Sequence, residues 1–323
     1  MVASVELFSR FPANPIVTVD DLPYRANSVF NPGAALVDGE TILLMRVEDR
    51  RGLSHLTVAR SRDGLTGWTC DPEPGLRAAP ERHPEEVWGL EDPRLTWLPE
   101  EGHWVIAYTA FSRRGPLVSL ATTTDFRTFT RLGPVMPPED KDAALFPRRF
   151  DGRWLLVHRP TPLVGGAHIW TSASPDLRYW GDQHLLLEAR EGGWWDARKI
   201  GLGPPPLETP DGWLIMYHGV RTTASGSLYR SGLALLDLEE PNVVLNRSDD
   251  WVLGPEAPYE RAGDVADIVF PCGWVHDEGT DTLRVYYGAA DTSVAVATAR
   301  LSDVLAYVKS CPPPQRRRHS DQD

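Results

Sequence analysis

Three short apolar runs, repeated five times in the same order, restrict the fold of this chain more than any other feature. Each run holds four to six residues rich in Val, Ile, Leu, Trp and Tyr, and Gly, Pro, Asp or Asn separates it from the next. This pattern is typical of strands rather than helices. Turns such as Asp38-Gly39, Asp151-Gly152 and Asp211-Gly212 stand between first and second runs, where they predict hairpins.

The second run of each copy gives the length of the repeat. Its markers are Leu43, Trp104, Trp154, Trp213 and Leu283, spaced 61, 50, 59 and 70 residues apart. That spacing suits a four-stranded propeller blade with its loops. We therefore predict an all-β fold, a five-bladed β-propeller forming one catalytic domain over residues 1–311. Residues 301–310 are predicted to form a short C-terminal helix, and the polar residues 312–323 a disordered tail.

Net charge and cysteine content argue against several classes of function. Lys and Arg number 33 against 45 Asp and Glu, a formal net charge of −12, which disfavours nucleic acid or an anionic membrane as a partner. No stretch approaches a transmembrane helix in length, and residues 1–7 lack the basic and apolar regions of a signal peptide. Cys70, Cys272 and Cys311 have no metal-ligand spacing and fit reduced thiols. We expect a cytoplasmic protein.

The segment from Trp88 to Leu95 places two acids, a proline and an arginine directly ahead of an apolar run. A proline after Asp92 favours extended backbone at that aspartate and removes a ladder donor, so we expect the strand to begin just beyond it. Taken alone, Asp92 and Arg94 also fit a structural ion pair at the start of a strand.

Polar residues stand at matching places in the other copies. In a propeller the first strands run beside the axis, so residues at their starts, and residues leaving the second strands, gather at one end of the channel. Before the first strands stand Asn31, Asp92, Lys141 with Asp142, and Lys199; after the second strands stand Arg46, Arg159, His218 and Asp291. The sequence thus predicts that these nine side chains share one pocket.

The charges of this pocket point to phosphate and a sugar. Several Arg and Lys side chains brought together in a partly buried place are costly unless an anion joins them. The sequence has no Gly-rich phosphate loop, no zinc-ligand spacing and no EF-hand loop, so a nucleotide or a metal fits less well than phosphate itself. Carboxylates with aromatic walls suggest a sugar; the candidate walls are Trp88, Trp194, Trp195, Tyr108 and Tyr217.

A single strong acid candidate beside a cation cluster favours phosphorolysis over hydrolysis. An inverting glycoside hydrolase needs one carboxylic acid to give a proton and a second carboxylate to activate water. Phosphate already carries negative charge and attacks the anomeric carbon itself, so a phosphorolytic enzyme needs only the acid. Asp92 is that acid in this interpretation.

Specific motifs follow one another in a fixed order along the chain. They are Gly89-Leu90-Glu91-Asp92-Pro93-Arg94, Lys141-Asp142-Ala143-Ala144-Leu145-Phe146-Pro147, His158-Arg159-Pro160, Lys199-Ile200-Gly201-Leu202-Gly203-Pro204-Pro205-Pro206, Tyr217-His218-Gly219, Gly263-Asp264-Val265 through Phe270-Pro271-Cys272, and Tyr286-Tyr287-Gly288-Ala289-Ala290-Asp291. In these motifs the chain resembles glycoside hydrolase family 130, the β-mannoside phosphorylases, and the resemblance runs from about Asn14 to Val308.

The resemblance implies a five-bladed propeller that cleaves β-mannosides by inverting phosphorolysis and yields α-mannose 1-phosphate. Asp92 matches the general acid of the family, which is thought to pass its proton through the 3-hydroxyl of mannose. Arg159, Lys199 and His218 match phosphate ligands, and Lys141 stands where some members have Arg. Asn31, Arg46 and Asp291 match residues around the mannose, and we group Asp142 with them. The expected partners are a manno-oligosaccharide and phosphate, with no cofactor.

Two other functions remain open at this point. An inverting β-mannosidase would use Asp92 as the acid, with Glu91, Asp142 or Asp291 assisting water. A propeller lectin would bind the sugar without turnover. Residues 113–115, 162–166 and 221–228 are candidate loops over the site of the leaving sugar, and the sequence is compatible with a homo-oligomer.

Overall fold

The chain forms five antiparallel sheets arranged as the blades of a propeller in the computed structural model, which describes residues 7–161, 166–224 and 226–314. The chain opens with β1 (Ser9–Arg10). Blade 1 contains β2 (Ser28–Val37), β3 (Glu40–Glu48), β4 (Ser54–Ser61) and β5 (Thr69–Cys70). Blade 2 contains β6 (Leu90–Leu98), β7 (His103–Ser112), β8 (Gly115–Thr123) and β9 (Thr130–Pro134).

The remaining blades follow the same order from the axis outward. Blade 3 contains β10 (Asp140–Leu145), β11 (Trp154–Pro160), β12 (Ile169–Ser174) and β13 (Gly181–Leu187). Blade 4 contains β14 (Lys199–Leu202), β15 (Leu207–Thr209), β16 (Gly212–Thr223), β17 (Gly226–Leu236) and β18 (Val244–Arg247). Blade 5 contains β19 (Val269–Asp277), β20 (Thr282–Ala289) and β21 (Ser293–Arg300). The α-helices are α1 (Pro258–Arg261) and α2 (Leu301–Ser310), and short 3₁₀ turns span Val19–Asp21 and Pro84–Glu86.

The prediction of an all-β, five-bladed propeller with a short C-terminal helix is confirmed, and α2 has the predicted bounds. Apolar side chains from neighbouring blades meet in the spaces between the sheets: Leu56 of blade 1 packs with Tyr108 of blade 2, and Val105 of blade 2 packs with Leu145 of blade 3. The second-strand residues Trp154 and Trp213 are fully buried. Burial of this apolar area supplies the main stabilisation of the fold.

The N-terminal strand closes the propeller, which the repeat pattern does not predict. β1 pairs with β21, so the outer strand of blade 5 comes from the other end of the chain. Arg10 of β1 is fixed by the buried carboxylate of Glu260, with Nε 2.8 Å from Oε1. A strand of two residues is too short to leave a periodic signal, so sequence alone could not reveal it.

An aspartate turn follows the third strand in blades 1, 2, 3 and 4. The Oδ1 atoms of Asp63, Asp125, Asp176 and Asp237 each accept hydrogen bonds from two backbone N–H groups two and three residues further on. The Thr66 hydroxyl and the backbone bonds lower the pKa of Asp63, and the backbone bonds lower the pKa of Asp125 and Asp176. The turn explains why an acid recurs at this place in the repeat.

Some expectations fall on residues outside the described part of the chain. Residues 315–323 of the expected tail, most of the loop at 162–166 and Ser225 in the loop at 221–228 belong to this group. Within the described residues, no helix combines the length and apolar character that a membrane crossing requires.

Candidate active site

A cavity of about 310 Å³ opens where the innermost strands of the blades begin. All nine predicted site residues line it, so the structure brings these side chains together. The wall also includes residues that the sequence did not single out. These are Pro116, Glu139, Thr161, Tyr229, Ile268 and Phe270.

β-Bulges aim three of the polar side chains into the cavity. The pairing of the first two strands shifts register after Phe30, Glu91 and Lys141, next to Asn31, Asp92 and Asp142. These residues have positive φ angles of 47°, 50° and 55°, which Asn and Asp tolerate better than most side chains. Each bulge adds a residue that turns its side chain toward the axis.

The expected backbone of Asp92 was therefore wrong. Asp92 lies inside β6 and is left-handed, rather than extended and ahead of the strand. Because the bulge leaves Asp92 and Pro93 without partners in the β6–β7 ladder, the missing N–H of Pro93 breaks no ladder hydrogen bond. Arg94 is not an ion-pair partner of the Asp92 carboxylate either; its Nη1 donates to the backbone oxygen of Asp92 at 2.8 Å.

The Asp92 carboxylate is surrounded by donors. Its Oδ1 accepts from Nδ2 of Asn31 at 2.8 Å and from Nη1 of Arg46 at 3.2 Å, and its Oδ2 lies 3.9 Å from Nζ of Lys141. Burial by itself raises the pKa of Asp92, but the charges of Arg46 and Lys141 outweigh it and hold the pKa below its ordinary value. Asp92 is therefore ionised at neutral pH when the cavity holds no ligand.

Glu91 completes this side of the cavity. Its Oε1 lies 3.1 Å from Nη2 of Arg46 and its Oε2 3.7 Å from Nζ of Lys141. Arg46 is also fixed by Ser54, whose Oγ accepts from Nε at 2.9 Å. The sequence had assigned Glu91 only to the hydrolytic alternative, whereas its contacts hold the two cations that flank Asp92.

Asp142 organises the opposite side. Its Oδ2 accepts from Nη2 and Nε of Arg159 at 2.7 and 3.1 Å, and its Oδ1 lies 3.5 Å from Nη2 of Arg94. Burial opposes ionisation, yet these cations keep the pKa of Asp142 far below its ordinary value. Arg94 also donates to the backbone oxygens of Leu202 and Gly203 and so ties blade 2 to blade 4.

His218 is a neutral donor or acceptor rather than a cation. Burial lowers its pKa to about 3; the charge of Asp142 opposes this shift, and the charges of Arg159, Arg94 and Lys199 add to it. Its Nε2 lies 3.6 Å from Oδ2 of Asp142, and its Nδ1 is buried with no hydrogen-bond partner among the described residues. An unpaired buried nitrogen beside a cavity is suited to bind a ligand.

Gly201 leaves room for these side chains. It pairs with His218 in the ladder between β14 and β16. A Cβ atom at this position would lie 2.6 Å from Cε1 of His218 and would overlap the Asp142 carboxylate. Glycine is therefore the residue that lets the histidine and the aspartate approach each other here.

Asp291 and Lys199 complete the polar wall. Burial and the charge of Asp92 raise the pKa of Asp291 from 3.8 to about 7, so this carboxyl changes its protonation near neutral pH. The Nζ of Lys199 lies 5.4 Å from the ring centre of Tyr229. The cavity thus combines a neutral histidine, four arginines or lysines and a carboxyl that changes charge near neutrality.

The aromatic walls expected from the sequence lie elsewhere. Among the residues that the structure describes, Tyr229 and Phe270 are the aromatic side chains lining the cavity. The hydroxyls of Tyr108 and Tyr217 donate to Glu86 and Asp196 at 2.8 and 3.0 Å in the interior. The other three expected residues also pack outside the cavity: Trp88 against Phe111, Trp194 under Arg190, and Trp195 on Tyr217. Composition marks aromatic residues, but only packing decides which of them face the site.

A buried serine–histidine–aspartate chain supports the part of the cavity wall that holds Arg159. Nδ1 of His158 lies 2.6 Å from Oδ2 of Asp140, and Nε2 lies 2.8 Å from Oγ of Ser172. The other oxygen of Asp140 accepts from the backbone N–H of Arg159 at 3.1 Å. Ser172 is fully buried, so this chain fixes the strand that carries Arg159 rather than presenting a nucleophile.

Comparison with known proteins identifies the family. The family model described as beta-1,4-mannooligosaccharide phosphorylase matches residues 5–310. The chain belongs to glycoside hydrolase family 130. It is also 36% identical to the beta-1,4-mannooligosaccharide phosphorylase of Ruminococcus albus over 93% of this chain and 90% of that protein. The chain is therefore an enzyme of family 130, as its motifs predicted.

Solved structures of the family share the fold. A beta-1,2-mannobiose phosphorylase from Listeria innocua in complex with beta-1,2-mannobiose superposes with a TM-score of 0.84 at 32% identity, over 94% of this chain and 99% of that one. A second family 130 structure, described for glycoside hydrolases that target beta-1,2 mannosidic linkages in Candida mannan, has a TM-score of 0.79 at 26% identity over 90% of this chain and 93% of that chain. Family 130 therefore includes both phosphorylases and hydrolases. Family membership alone does not decide between these two activities.

Proposed function

We propose that this enzyme is an inverting β-mannoside phosphorylase that cleaves a β-1,2- or β-1,4-linked manno-oligosaccharide or mannosyl-glucose. Inorganic phosphate is the nucleophile, α-mannose 1-phosphate is the product and Asp92 is the general acid. The observation that carries the proposal is the shared cavity, where Arg159, Lys199 and His218 lie together with Asp92. The reaction as proposed needs phosphate as a co-substrate and no cofactor.

The phosphate site is supported by the chemistry of its donors. A guanidinium has five N–H groups; Asp142 takes two of those of Arg159 and Thr161 takes one. One N–H group remains on each Nη atom and can donate to phosphate oxygens, while Lys199 adds a point charge. His218 adds a neutral N–H or a lone pair, since its pKa is lowered to about 3.

The acid must carry a proton before it can give one. In the ligand-free cavity the charges of Arg46 and Lys141 keep Asp92 ionised. A bound phosphate dianion adds negative charge nearby and competes for Lys141, and both effects raise the pKa of Asp92. The nucleophile thereby helps its own acid to hold a proton, which would be passed on through the 3-hydroxyl of mannose as the family resemblance implies.

The mannose would lie between the phosphate and the side chains of blades 1, 2 and 5. Asn31 and Arg46 offer N–H donors, and Asp291 offers a carboxyl that accepts from or donates to a hydroxyl according to its charge. An inverting displacement places phosphate and the leaving sugar on opposite sides of the anomeric carbon. The three free cysteines fit the cytoplasmic location that we propose with this function.

One observation favours an inverting mannosidase as the second candidate. The pKa of Asp291, raised to about 7, suits a general base that activates water. Glu91 and Asp142 are poorer bases because each is held in ion pairs with Arg or Lys. In the hydrolytic alternative, Asp92 is therefore the general acid and Asp291 the general base.

Phosphate dependence separates these candidates. We expect β-1,2- or β-1,4-mannobiose to yield mannose 1-phosphate, seen as the α-anomer by NMR, and the rate to vanish in phosphate-free buffer. Asp92→Asn should lower the rate by about 10²–10⁴ for a lost general acid, with oligosaccharide binding retained. Mannose released at the same rate without phosphate would show a hydrolase, and binding with no turnover in either buffer would show a lectin.

A further inference from the structure

Three apolar side chains lead from the cavity across the top of blade 2. Pro116 lines the cavity, and Phe111 is its direct partner in the ladder between β7 and β8. The ring of Trp88 meets the ring of Phe111 edge-on, with centroids 5.3 Å apart and an interplanar angle of 68°. We call Pro116, Phe111 and Trp88 the apolar strip. Directly opposed residues of an antiparallel pair share one face, so the strip is continuous from the cavity outward.

The strip is open to solvent at its outer end. Trp88 is 40% exposed, and Val87 beside it is 39% exposed. A single exposed tryptophan is common on protein surfaces. The backbone of Trp88, however, is fixed, because its N–H donates to the backbone oxygen of Phe111 at 2.9 Å. The ring is thus held at the rim by neighbours that reach the cavity wall.

Blade 3 forms the other side of the same passage. Phe111 shares its strand face with Val105 and Ala107, which pack against blade 3 lower down. The side chain of Glu139 lies against Gly115 at the start of β8, and Glu139 and Thr161, which flank the first two strands of blade 3, line the cavity together with Pro116. The passage therefore has one apolar wall and one wall with hydrogen-bonding groups, the combination that a sugar ring matches.

The cavity is too small to hold phosphate together with a whole oligosaccharide. About 310 Å³ is at the small end of the range for small-molecule sites, and the phosphate and the mannose must share it. The rest of an oligosaccharide has to leave through the mouth. Asp92 and Pro116 both belong to blade 2 and both line the cavity, so the strip begins on the blade that carries the proposed acid.

We propose that the apolar strip binds sugars on the leaving-group side of the cleaved bond, with Trp88 stacking on a ring beyond the first. This inference rests on the proposed function, because it takes a β-mannoside oligosaccharide as the substrate. Trp88 should therefore control the preference for longer oligosaccharides and not the chemistry at the cleaved bond.

Trp97 provides a matched control for Trp88. It lies near the end of β6, the strand that follows Trp88, is 39% exposed, and packs against Trp104 with ring centroids 5.5 Å apart. Trp88→Ala and Trp97→Ala therefore remove similar side chains with similar packing. Trp88→Phe keeps an aromatic face and is the conservative variant should the alanine variant fold poorly.

The experiment measures kcat/KM for β-1,2- and β-1,4-manno-oligosaccharides of two to six sugars at saturating phosphate. We expect Trp88→Ala to reduce the ratio of kcat/KM for the tetrasaccharide over the disaccharide about tenfold, the effect of losing one aromatic contact. The loss should appear in KM. Trp97→Ala should keep the wild-type ratio, and Trp88→Phe should keep most of it.

Equilibrium binding separates this inference from the proposed function. Calorimetric titration of the full chain with the same oligosaccharides, without phosphate, should show weaker binding of the longer chains by Trp88→Ala. That result would support the strip even if turnover proved independent of phosphate. A wild-type enzyme that gains nothing from chain length, or a Trp88→Ala variant with the wild-type length profile, would overturn the inference and leave the phosphorylase proposal intact.

Discussion

Oδ2 of Asp142 lies 2.7 Å from Nη2 of Arg159, and both side chains are buried in the wall of the cavity. Asp142 and Thr161 together leave one N–H group on each Nη atom of Arg159, so the carboxylate orients the arginine and does not remove it from use. A cation held in this way is preorganised for an incoming anion.

Replacing Asp142 by alanine should cost about 3–5 kcal/mol in the free energy of unfolding, because Arg159 and Arg94 would keep buried charges without their carboxylate. Urea unfolding followed by tryptophan fluorescence measures the loss. The control is Asp211→Ala, which removes a half-exposed partner of Lys309 and should cost about 1 kcal/mol or less. Equal effects of the two variants would refute the structural role of Asp142.

Replacing Lys199 by methionine should raise the KM for phosphate about 10–100-fold, the effect of losing one hydrogen bond to a charged group. Stability should change little, since the methylene stem is kept and the ammonium faces Tyr229 and the cavity. Phosphate titration of initial rates measures the change, with Lys309→Met on the surface as the control. An unaltered KM for phosphate would remove Lys199 from the phosphate site.

Asp291 should make the stability of the enzyme fall as the pH rises toward 7. Its pKa in the folded protein, about 7, lies above the unfolded value of 3.8, so the folded state binds the proton more tightly. The free energy of unfolding therefore decreases between about pH 4 and pH 7. Relative to Asp291→Asn, the wild type should lose about 2–3 kcal/mol between pH 5 and pH 8. Parallel pH profiles of the two proteins would contradict the raised pKa.

His158 should act as a positioning residue for Arg159. His158→Ala leaves Asp140 without its ring N–H partner, which should cost about 1–3 kcal/mol of stability and raise the KM for phosphate more than it lowers kcat. Ser172→Ala should retain most of the wild-type rate. Complete inactivation by Ser172→Ala would instead indicate a nucleophile, against the full burial of its side chain.

Gly201→Ala should weaken phosphate binding and cost about 1–3 kcal/mol of stability by overpacking, because the new methyl group overlaps Asp142 and His218. Gly193→Ala is the control, since a Cβ there meets nothing within 4 Å. Unfolding curves and the KM for phosphate test both variants. Normal values for Gly201→Ala would show that the strand pair separates easily.

The sequence by itself determined the five blades, the helix at residues 301–310 and nine of the fifteen described residues that line the cavity. These features depend on local signals: apolar runs of strand length, turn residues at fixed offsets and motifs with a fixed order. The relation between first strands and the axis then placed Asp92, Arg159 and Lys199 at the same end of the channel. Such inferences need the topology but no interatomic distance.

Only the tertiary structure decided how those side chains are used. It showed the left-handed bulge at Asp92, the pairing of Asp142 with Arg159, the neutral state of His218, and Tyr229 and Phe270 as the aromatic wall. A bulge adds one residue without altering the apolar pattern, and the charge state of a buried group depends on neighbours from other blades. Both are set by packing between segments far apart in the chain, which local sequence patterns do not record.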